Sequence, residues 1–596
     1  MDTGYFRYHT TGSPEVDQMI ANAVANGATG GYVGPGVMSS TSLAARFGLN
    51  AAPAGGGGSN FANGGAYTAP LRASESDPYS SGVFPTNVSI TQQIQNYLTS
   101  TNGAANPKAL YMINSGNNDL LFVQQQSAAW IAANPQFLQG LASTLAANVA
   151  TLYRAGARTI LVPNSYNSAV FAGLGGAIAP ENAELYARSL SYGKTRWASL
   201  SAAGVRFIPG DIDSLFRFVV QNPTLFGFTA ESVLAANAPS PLSALLTTWN
   251  QITPEQMERY LFIDGKHMTT AGQRIEADYY SSLLTAPSQI SRLAEGPVQG
   301  GLTRMATIQG QLDLPKQQRG PNGINVWANG GISALEIKNS PGHSDESGVP
   351  LDGSVGADYQ TSFGLVLGAA FTAGYQNQEF SKDGGHFTQT DQTLSLYATY
   401  RAGPVWGNVV GGYSLYQDAI TRQVQLGRFT DQNNATTAGL SWALALRAGG
   451  DISLGPITTG PVVGSVLQQV RIDGFTETGD SGVTALSFGK QTRDSLVSQL
   501  GWRIVADLSD WSPFVEAKWN HEWADTDRML SVALTSTSAP SYAMAAPPVT
   551  KDWMDASVGV SYKINEQVML KGTVSATMLN PQVTTYGANV GVTVSF

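Results

Sequence analysis

The pattern of hydrophobic and polar positions divides the chain near residue 285. In the first half, helical patterns alternate with short apolar runs typical of buried strands. The strand-like runs cover residues 109–114, 158–164 and 205–209, and the helical patterns cover 85–100, 134–153 and 181–203. This order predicts an α/β domain whose parallel sheet is covered by helices on both faces, with its chemistry at the carboxyl ends of the strands.

In the second half the period becomes two. Residues 393–400 and 556–562 alternate apolar and polar side chains, and the final strand 585–596 places Tyr586, Val590 and Phe596 on one face. A soluble β-sandwich would give the same alternation. The strand-like segments nevertheless continue to residue 596 without a second apolar layer, and long antiparallel sheets need closure to hide their edges. The pattern therefore favours a transmembrane β-barrel.

Composition argues against several classes of function and structure. The net charge of −9 argues against nucleic acid as a partner, because phosphate binding needs a basic face. The absence of Cys excludes disulfides and thiol catalysis and suits export through an oxidising compartment. The sequence contains no apolar run of about 18 residues or more, so a transmembrane helix is not expected. The first residues, MDTGYFRYHTTG, lack the features of a signal peptide.

The stretch YLFIDGKHMTTAGQ carries the strongest candidate chemistry. It places Asp264 and His267 three residues apart, so that one turn can bring the carboxylate to one ring nitrogen and leave the other nitrogen for a substrate. Two Gly- and Asn-rich blocks precede it, NFANGGA at 60–66 and SGNNDLLF at 115–122. Either block alone is more typical of a structural turn. Their order before the D-x-x-H block indicates a site.

The string D-x-x-H-x-T-x-x-G resembles the last block of the GDSL (SGNH) esterase and lipase family, and the resemblance covers residues 2–284. It implies that His267 is the base and that Asp264 orients it. It also implies an oxyanion hole formed by Gly65, with Gly64 the neighbouring possibility, and by Asn118. These residue types suit the roles, because a glycine N–H is closely approachable and the Asn amide can donate to an oxyanion. The family needs no cofactor.

The nucleophile departs from the family pattern. The family's first block reads approximately F-G-D-S-x-S-D-T-G, and this chain opens with M-D-T-G, so that only Asp2, Thr3 and Gly4 match. We expect the catalytic serine, the first strand and any export signal upstream of Met1, absent through truncation. A degenerate, inactive gene is the alternative. Ser481 lies in a GDSG string, but it follows the proposed base in the chain. We therefore expect this string to form a loop turn and not to supply the nucleophile.

The histidines do not indicate a metal site. The chain contains only five, and none forms an H-x-H or H-E-x-x-H pattern. A catalytic metal is therefore not expected. His9 follows the D-T-G segment closely enough to border the pocket, although we assign it no role.

The terminal ANVGVTVSF resembles the end of outer-membrane autotransporter barrels. That resemblance implies an esterase passenger at residues 1–285, a linker helix at 286–319 passing through the lumen, and a twelve-stranded barrel at 320–596. The linker pattern is helical with an interruption at Gly296 and Pro297. It further implies a monomer in the outer membrane with its passenger on the cell surface, inserted by the barrel-assembly machinery and acting on ester or lipid substrates.

Two other functions remain open. One is a catalytically inactive surface adhesin or scaffold on a barrel anchor. The other is a soluble two-domain hydrolase whose all-β half binds carbohydrate. The acyl substrate is also open, since the GDSL family includes carbohydrate acetylesterases.

Overall fold

The structure is a computed structural model that describes residues 14–28, 36–70, 88–166, 183–229, 252–263, 267–313, 323–338, 346–380 and 383–596. In the first half, three parallel strands form a sheet in the order β1-β2-β3, which are Leu110–Met112, Thr159–Pro163 and Ile208–Gly210. The described helices are α1 Pro14–Ala25, α2 Ser39–Arg46, α3 Ile90–Ser100, α4 Asn117–Gln124, α5 Ala128–Ala133, α6 Phe137–Arg154, α7 Ala183–Ala202, α8 Ile212–Gln221, α9 Pro254–Arg259 and α10 Thr270–Leu312.

The α/β prediction for this half is confirmed. Each predicted strand overlaps an observed one, although β3 begins at Ile208 and not at residue 205. Several helices begin where a side chain caps the free N–H groups. Ser89 accepts from the backbone of Gln92 at the start of α3, and Asp211 accepts from Ser214 at the start of α8. Asp211 is the single residue between the end of β3 and the start of α8, so it lies at the carboxyl edge of the sheet.

The second half forms a closed antiparallel barrel. Twelve strands of 11 to 22 residues pair directly with their neighbours in sequence order, and the last strand pairs with the first. The twelve are β4 Ile324–Ile337, β5 Glu346–Gln360, β6 Val366–Glu379, β7 Gly385–Ala402, β8 Val405–Leu426, β9 Phe429–Gly450, β11 Ile457–Ile472, β15 Gln491–Ala506, β16 Trp511–Glu522, β19 Asp552–Lys563, β20 Val568–Met578 and β21 Val583–Ser595.

Six further short strands lie in the connections between the long strands of the barrel. The chain between β11 and β15 and the chain between β16 and β19 contribute a four-stranded sheet in the order β12-β14-β17-β18. The short strands are β10 Ile452–Leu454, β12 Phe475–Thr476, β13 Thr478–Gly479, β14 Leu486–Phe488, β17 Met529–Leu534 and β18 Tyr542–Ala545. This sheet lies at the mouth that faces the N-terminal domain.

The barrel exposes its apolar side chains and buries its polar ones. On β7, Leu394 and Leu396 are 61% and 65% exposed, whereas the alternating residues Thr393 and Ser395 are buried. The final strand likewise exposes Tyr586 and Val590. A β-sandwich would bury the apolar face, so this arrangement excludes the soluble interpretation and is the one required by a lipid-facing wall.

Helix α10 runs through the lumen of the barrel. Its Arg304 forms an ion pair with Asp391 of β7 at 2.9 Å, and its Gln311 donates to Thr593 of β21 at 3.0 Å. The lysine of β20, Lys571, donates to the Gly310 carbonyl at 2.6 Å. The predicted boundary between residues 285 and 286 falls inside this helix. The bounds of the three predicted segments stay predictions.

Two prolines lie inside α10, and the helix continues through both. A proline lacks the N–H that would bond the carbonyl four residues earlier, so Pro287 and Pro297 deprive Leu283 and Leu293 of their helical donors. The Tyr542 hydroxyl donates to the Leu283 carbonyl at 3.0 Å. Gln389 Nε2 donates to the Leu293 carbonyl at 3.3 Å. The barrel therefore supplies both missing donors, which is why the interruption expected at Pro297 does not end the helix.

None of the described helices is long and apolar enough to cross a membrane.

Candidate active site

The structure brings the Gly65 and Asn118 blocks together. The Asn118 side chain donates through Nδ2 to the Ala66 carbonyl at 2.9 Å. Gly65 has a φ of +73°, a conformation that favours glycine, and the turn it forms is followed directly by Ala66. Asn118 lies in the first turn of α4, six residues after Met112, the last residue of β1. The two predicted oxyanion donors thus belong to one loop pair at the carboxyl edge of the sheet.

A buried polar network holds this loop pair in place. Asp119 is 1% exposed and accepts from the backbone N–H of Thr68 at 3.0 Å and from its hydroxyl at 2.6 Å. The Tyr192 hydroxyl also donates to Asp119, at 2.7 Å. The Ser115 and Thr68 hydroxyls lie 2.5 Å apart. Asp119 therefore joins the loop carrying Gly65 to the helix carrying Asn118.

Arg196 of α7 forms hydrogen bonds with the loops that follow β1 and β2. Its guanidinium is buried, donates to the Ser115 carbonyl, and donates to the Ser165 hydroxyl at 2.9 Å. Burial lowers the pKa of Arg196, while the nearby Tyr192 and Asp119 oppose that effect. Burial, reinforced by the Asp119 charge, holds the pKa of Tyr192 well above its ordinary value.

Gly116 fits only as glycine. It has a φ of +108°, and a Cβ there would lie 2.9 Å from the Arg196 guanidinium. The glycine of G-x-N-D is therefore required for the turn and for the approach of Arg196. It is also the N-cap residue of α4.

His267 lies at the other end of the domain's chain, just before α10. Phe262 and Met268 form a bridge, and the Ile263 N–H donates to the His267 carbonyl at 2.9 Å. His267 is half-buried and precedes the helix cap Thr269, whose hydroxyl accepts from Gly272 at 3.3 Å. Asp264 lies outside the described residues. The Asp264–His267 pair and both catalytic roles stay predictions, and His9 also lies outside the described residues.

A second carboxylate pair lies at the end of β3. Asp211 accepts from the Asn164 amide at 2.7 Å, and Asp213 accepts from the Tyr186 hydroxyl at 2.9 Å and from Arg217 at 2.7 Å. Burial, and secondarily the Asp211 charge, raise the pKa of Asp213 to about 7. The Asp211 carboxylate caps α8, so this pair stabilises the sheet edge.

Sequence reasoning did not identify Arg196, Tyr192 or Asp213 as part of the site's support. The sequence feature that could have indicated them is the i, i+4 spacing of Tyr192 and Arg196, which places both on one face of a helix. Ser189 is buried on the same face. A buried arginine requires partners, but the sequence does not say which.

Ser481 is part of a turn at the mouth of the barrel, as predicted. Its hydroxyl pairs with Asp431 and accepts from the Val483 N–H at 2.9 Å. Within the described part of the chain, no three His, Asp or Glu side chains are grouped as metal ligands.

The fold defines the class of protein: a closed twelve-stranded barrel with an apolar outer wall, a helix in its lumen and an α/β domain at one mouth. Residues 326–575 match the family described as "Autotransporter beta-domain". The C-terminal half is therefore an autotransporter β-domain, whose barrel lies in the outer membrane with the α/β passenger at the cell surface.

Relatives extend the similarity into the passenger. The chain is 26% identical over 412 residues to Lipase 1 of Photorhabdus luminescens, which covers 67% of this chain and 59% of that protein. It is 27% identical over 493 residues to Esterase EstA of Pseudomonas aeruginosa, which covers 78% of this chain and 72% of that protein. Among solved structures, the translocator domain of the autotransporter NalP from Neisseria meningitidis has a TM-score of 0.43 and 16% identity, over 52% of this chain and 99% of that one.

Proposed function

We propose that the passenger is a serine ester hydrolase displayed on the cell surface, acting on carboxylic esters, lipids included. The similarity to relatives named Lipase 1 and Esterase EstA extends over two thirds or more of this chain and supports the proposal. The observation that carries it is the hydrogen bond from Asn118 Nδ2 to the Ala66 carbonyl, which joins the two blocks that would stabilise an oxyanion.

The proposed oxyanion hole follows from the chemistry of that amide. An Asn NH₂ group has two donors, and one of them is used by the Ala66 carbonyl at 2.9 Å. The second donor is left for the oxygen that becomes negative when an ester carbonyl is attacked. The backbone N–H of Gly65 is the proposed partner donor, and each such donor contributes on the order of 3 kcal/mol in the transition state.

The proposed proton transfer uses the D-x-x-H block. His267 takes the proton from the nucleophile and returns it to the leaving alcohol, while Asp264 fixes the tautomer of its ring. The nucleophile is the serine that the GDSL family's first block places before the D-T-G of residues 2–4. An acyl-enzyme forms on that serine, and water releases the acid without a cofactor.

The test compares two proteins in detergent. One is this chain, and the other is this chain with Met1 replaced by the F-G-D-S-x-S part of the block. Hydrolysis of p-nitrophenyl butyrate and labelling by a fluorophosphonate probe are measured on both. We expect the extended protein to hydrolyse the ester and to be labelled, and its His267→Ala variant to lose turnover. The matched control is His386→Ala, in the barrel.

The other outcomes are equally informative. Labelling of the chain without the added block would place the nucleophile elsewhere and overturn the assignment. Absence of both activities in the extended protein would favour a surface scaffold. Equal activity in the His267 and His386 variants would remove His267 from the mechanism.

A further inference from the structure

The mouth of the barrel makes several direct contacts with the passenger. The turn between β8 and β9 donates its Gly427 N–H to Asp278 Oδ2 at 2.6 Å, and Asp278 also pairs with Arg46 of α2. Gly427 has a φ of +60°, and a Cβ at this position would lie 2.9 Å from Ile275. The turn therefore approaches α10 as closely as a glycine permits.

Aromatic side chains continue this contact. The ring of Phe429, at the start of β9, lies 5.6 Å from that of Phe218 and 5.4 Å from that of Phe226, both in the passenger. Such ring separations are typical of favourable aromatic pairs. Passenger residues Phe216 and Leu161 belong to the same hydrophobic cluster as Leu486 and Val532 of the four-stranded mouth sheet.

The segment between β17 and β18 reaches the edge of the passenger sheet. The Ser536 hydroxyl donates to Asp211 Oδ2 at 2.7 Å, and the other oxygen of Asp211 accepts from Asn164 at 2.7 Å. A few residues later, the Tyr542 hydroxyl donates to the Leu283 carbonyl that Pro287 leaves without a helical donor. The barrel thus satisfies buried polar groups that the passenger cannot satisfy alone.

From these contacts we propose that the mouth of the barrel is a permanent docking surface for the passenger of the same chain, and that the passenger needs it for its own stability. The occupant is defined by the contacts, since one hydrophobic cluster includes side chains of both parts. The passenger is therefore held on the barrel as one body and does not move freely on a linker. This inference does not depend on ester hydrolysis.

The test is amide hydrogen exchange on the whole chain in detergent, followed in α8 and in residues 270–287. The first variant, Tyr542→Phe, keeps the ring and removes only the donor to Leu283. The second is Phe429→Ala, which removes the aromatic contact with Phe218 and Phe226. The matched control is Ser538→Ala, an exposed serine in the same segment as Ser536. Heat-modifiable gel migration confirms that each barrel has folded.

We expect exchange to accelerate at least about tenfold for residues 270–287 in Tyr542→Phe and for α8 in Phe429→Ala, which corresponds to about 1.4 kcal/mol. Strands β19 to β21 should exchange as in the parent. Exchange equal to that of Ser538→Ala in both variants would overturn the proposal. Because the readout is not catalytic, a passenger without esterase activity would leave this result interpretable.

Discussion

Removing the Asp119 carboxylate tests the network beneath the proposed oxyanion hole. In Asp119→Ala, the Thr68 N–H and the Tyr192 hydroxyl lose their acceptor in a site that water does not reach. Each buried donor left unsatisfied costs about 1–3 kcal/mol. The buried Arg196 also loses a nearby negative charge. We therefore expect the passenger to lose about 3–5 kcal/mol of its free energy of unfolding.

The assay is pulse proteolysis of the passenger along a urea series, with the whole chain in detergent. For a urea dependence of about 2–3 kcal/mol per molar, the midpoint should fall by about 1–2 M. The urea midpoint of Asp119→Asn should lie between those of the parent and the alanine variant, because an amide keeps one acceptor oxygen.

Glu184→Ala is the matched control, since the Glu184 side chain is 86% exposed and pairs with Arg188 on the same helix. It should change the free energy of unfolding by about 0.5 kcal/mol or less. A loss below about 1 kcal/mol in Asp119→Ala would refute the reasoning, because it would mean that Thr68 and Tyr192 find other acceptors.

Three further predictions follow from the same structure. Asn118→Ala in the protein carrying the serine block should lower kcat for p-nitrophenyl butyrate about 100-fold or more, as expected for loss of an oxyanion donor; an unchanged kcat would exclude Asn118 from that role. Arg304→Met should leave Asp391 unpaired in the lumen and destabilise the barrel by about 3–5 kcal/mol. This loss is read as a lower temperature for the heat-modifiable shift on gels, and an unchanged shift temperature would contradict it. Because the pKa of Asp213 is about 7 in the folded passenger against an ordinary 3.8, the folded carboxyl binds its proton more tightly. Passenger stability should therefore fall as the pH rises from about 4 through about 7, by at most about 4 kcal/mol. Asp213→Asn should flatten that decline in urea midpoints between pH 4 and 8, and parallel curves for variant and parent would contradict the assignment.

Much of this protein was determined by local sequence pattern. The alternation of apolar and polar residues from Thr393 to Tyr400 predicted an outward apolar face, and those side chains are exposed where the barrel meets lipid. Helix and strand periodicity likewise predicted the α/β half. The order of the blocks around Gly65 and Asn118 predicted that they form one site, and a hydrogen bond to Ala66 joins them. Such patterns can be read from the sequence because neighbouring residues share a face at fixed spacing.

The tertiary structure alone decided which distant groups satisfy one another. Arg196 and Ser115 are 81 residues apart in the chain, and Ser536 and Asp211 are 325 apart. The continuity of α10 also depends on distant donors, since Tyr542 and Gln389 bond the carbonyls released by Pro287 and Pro297. A proline in the sequence indicates only that a donor is missing. Which side chain replaces it depends on how the barrel closes around the helix, and no local spacing encodes that.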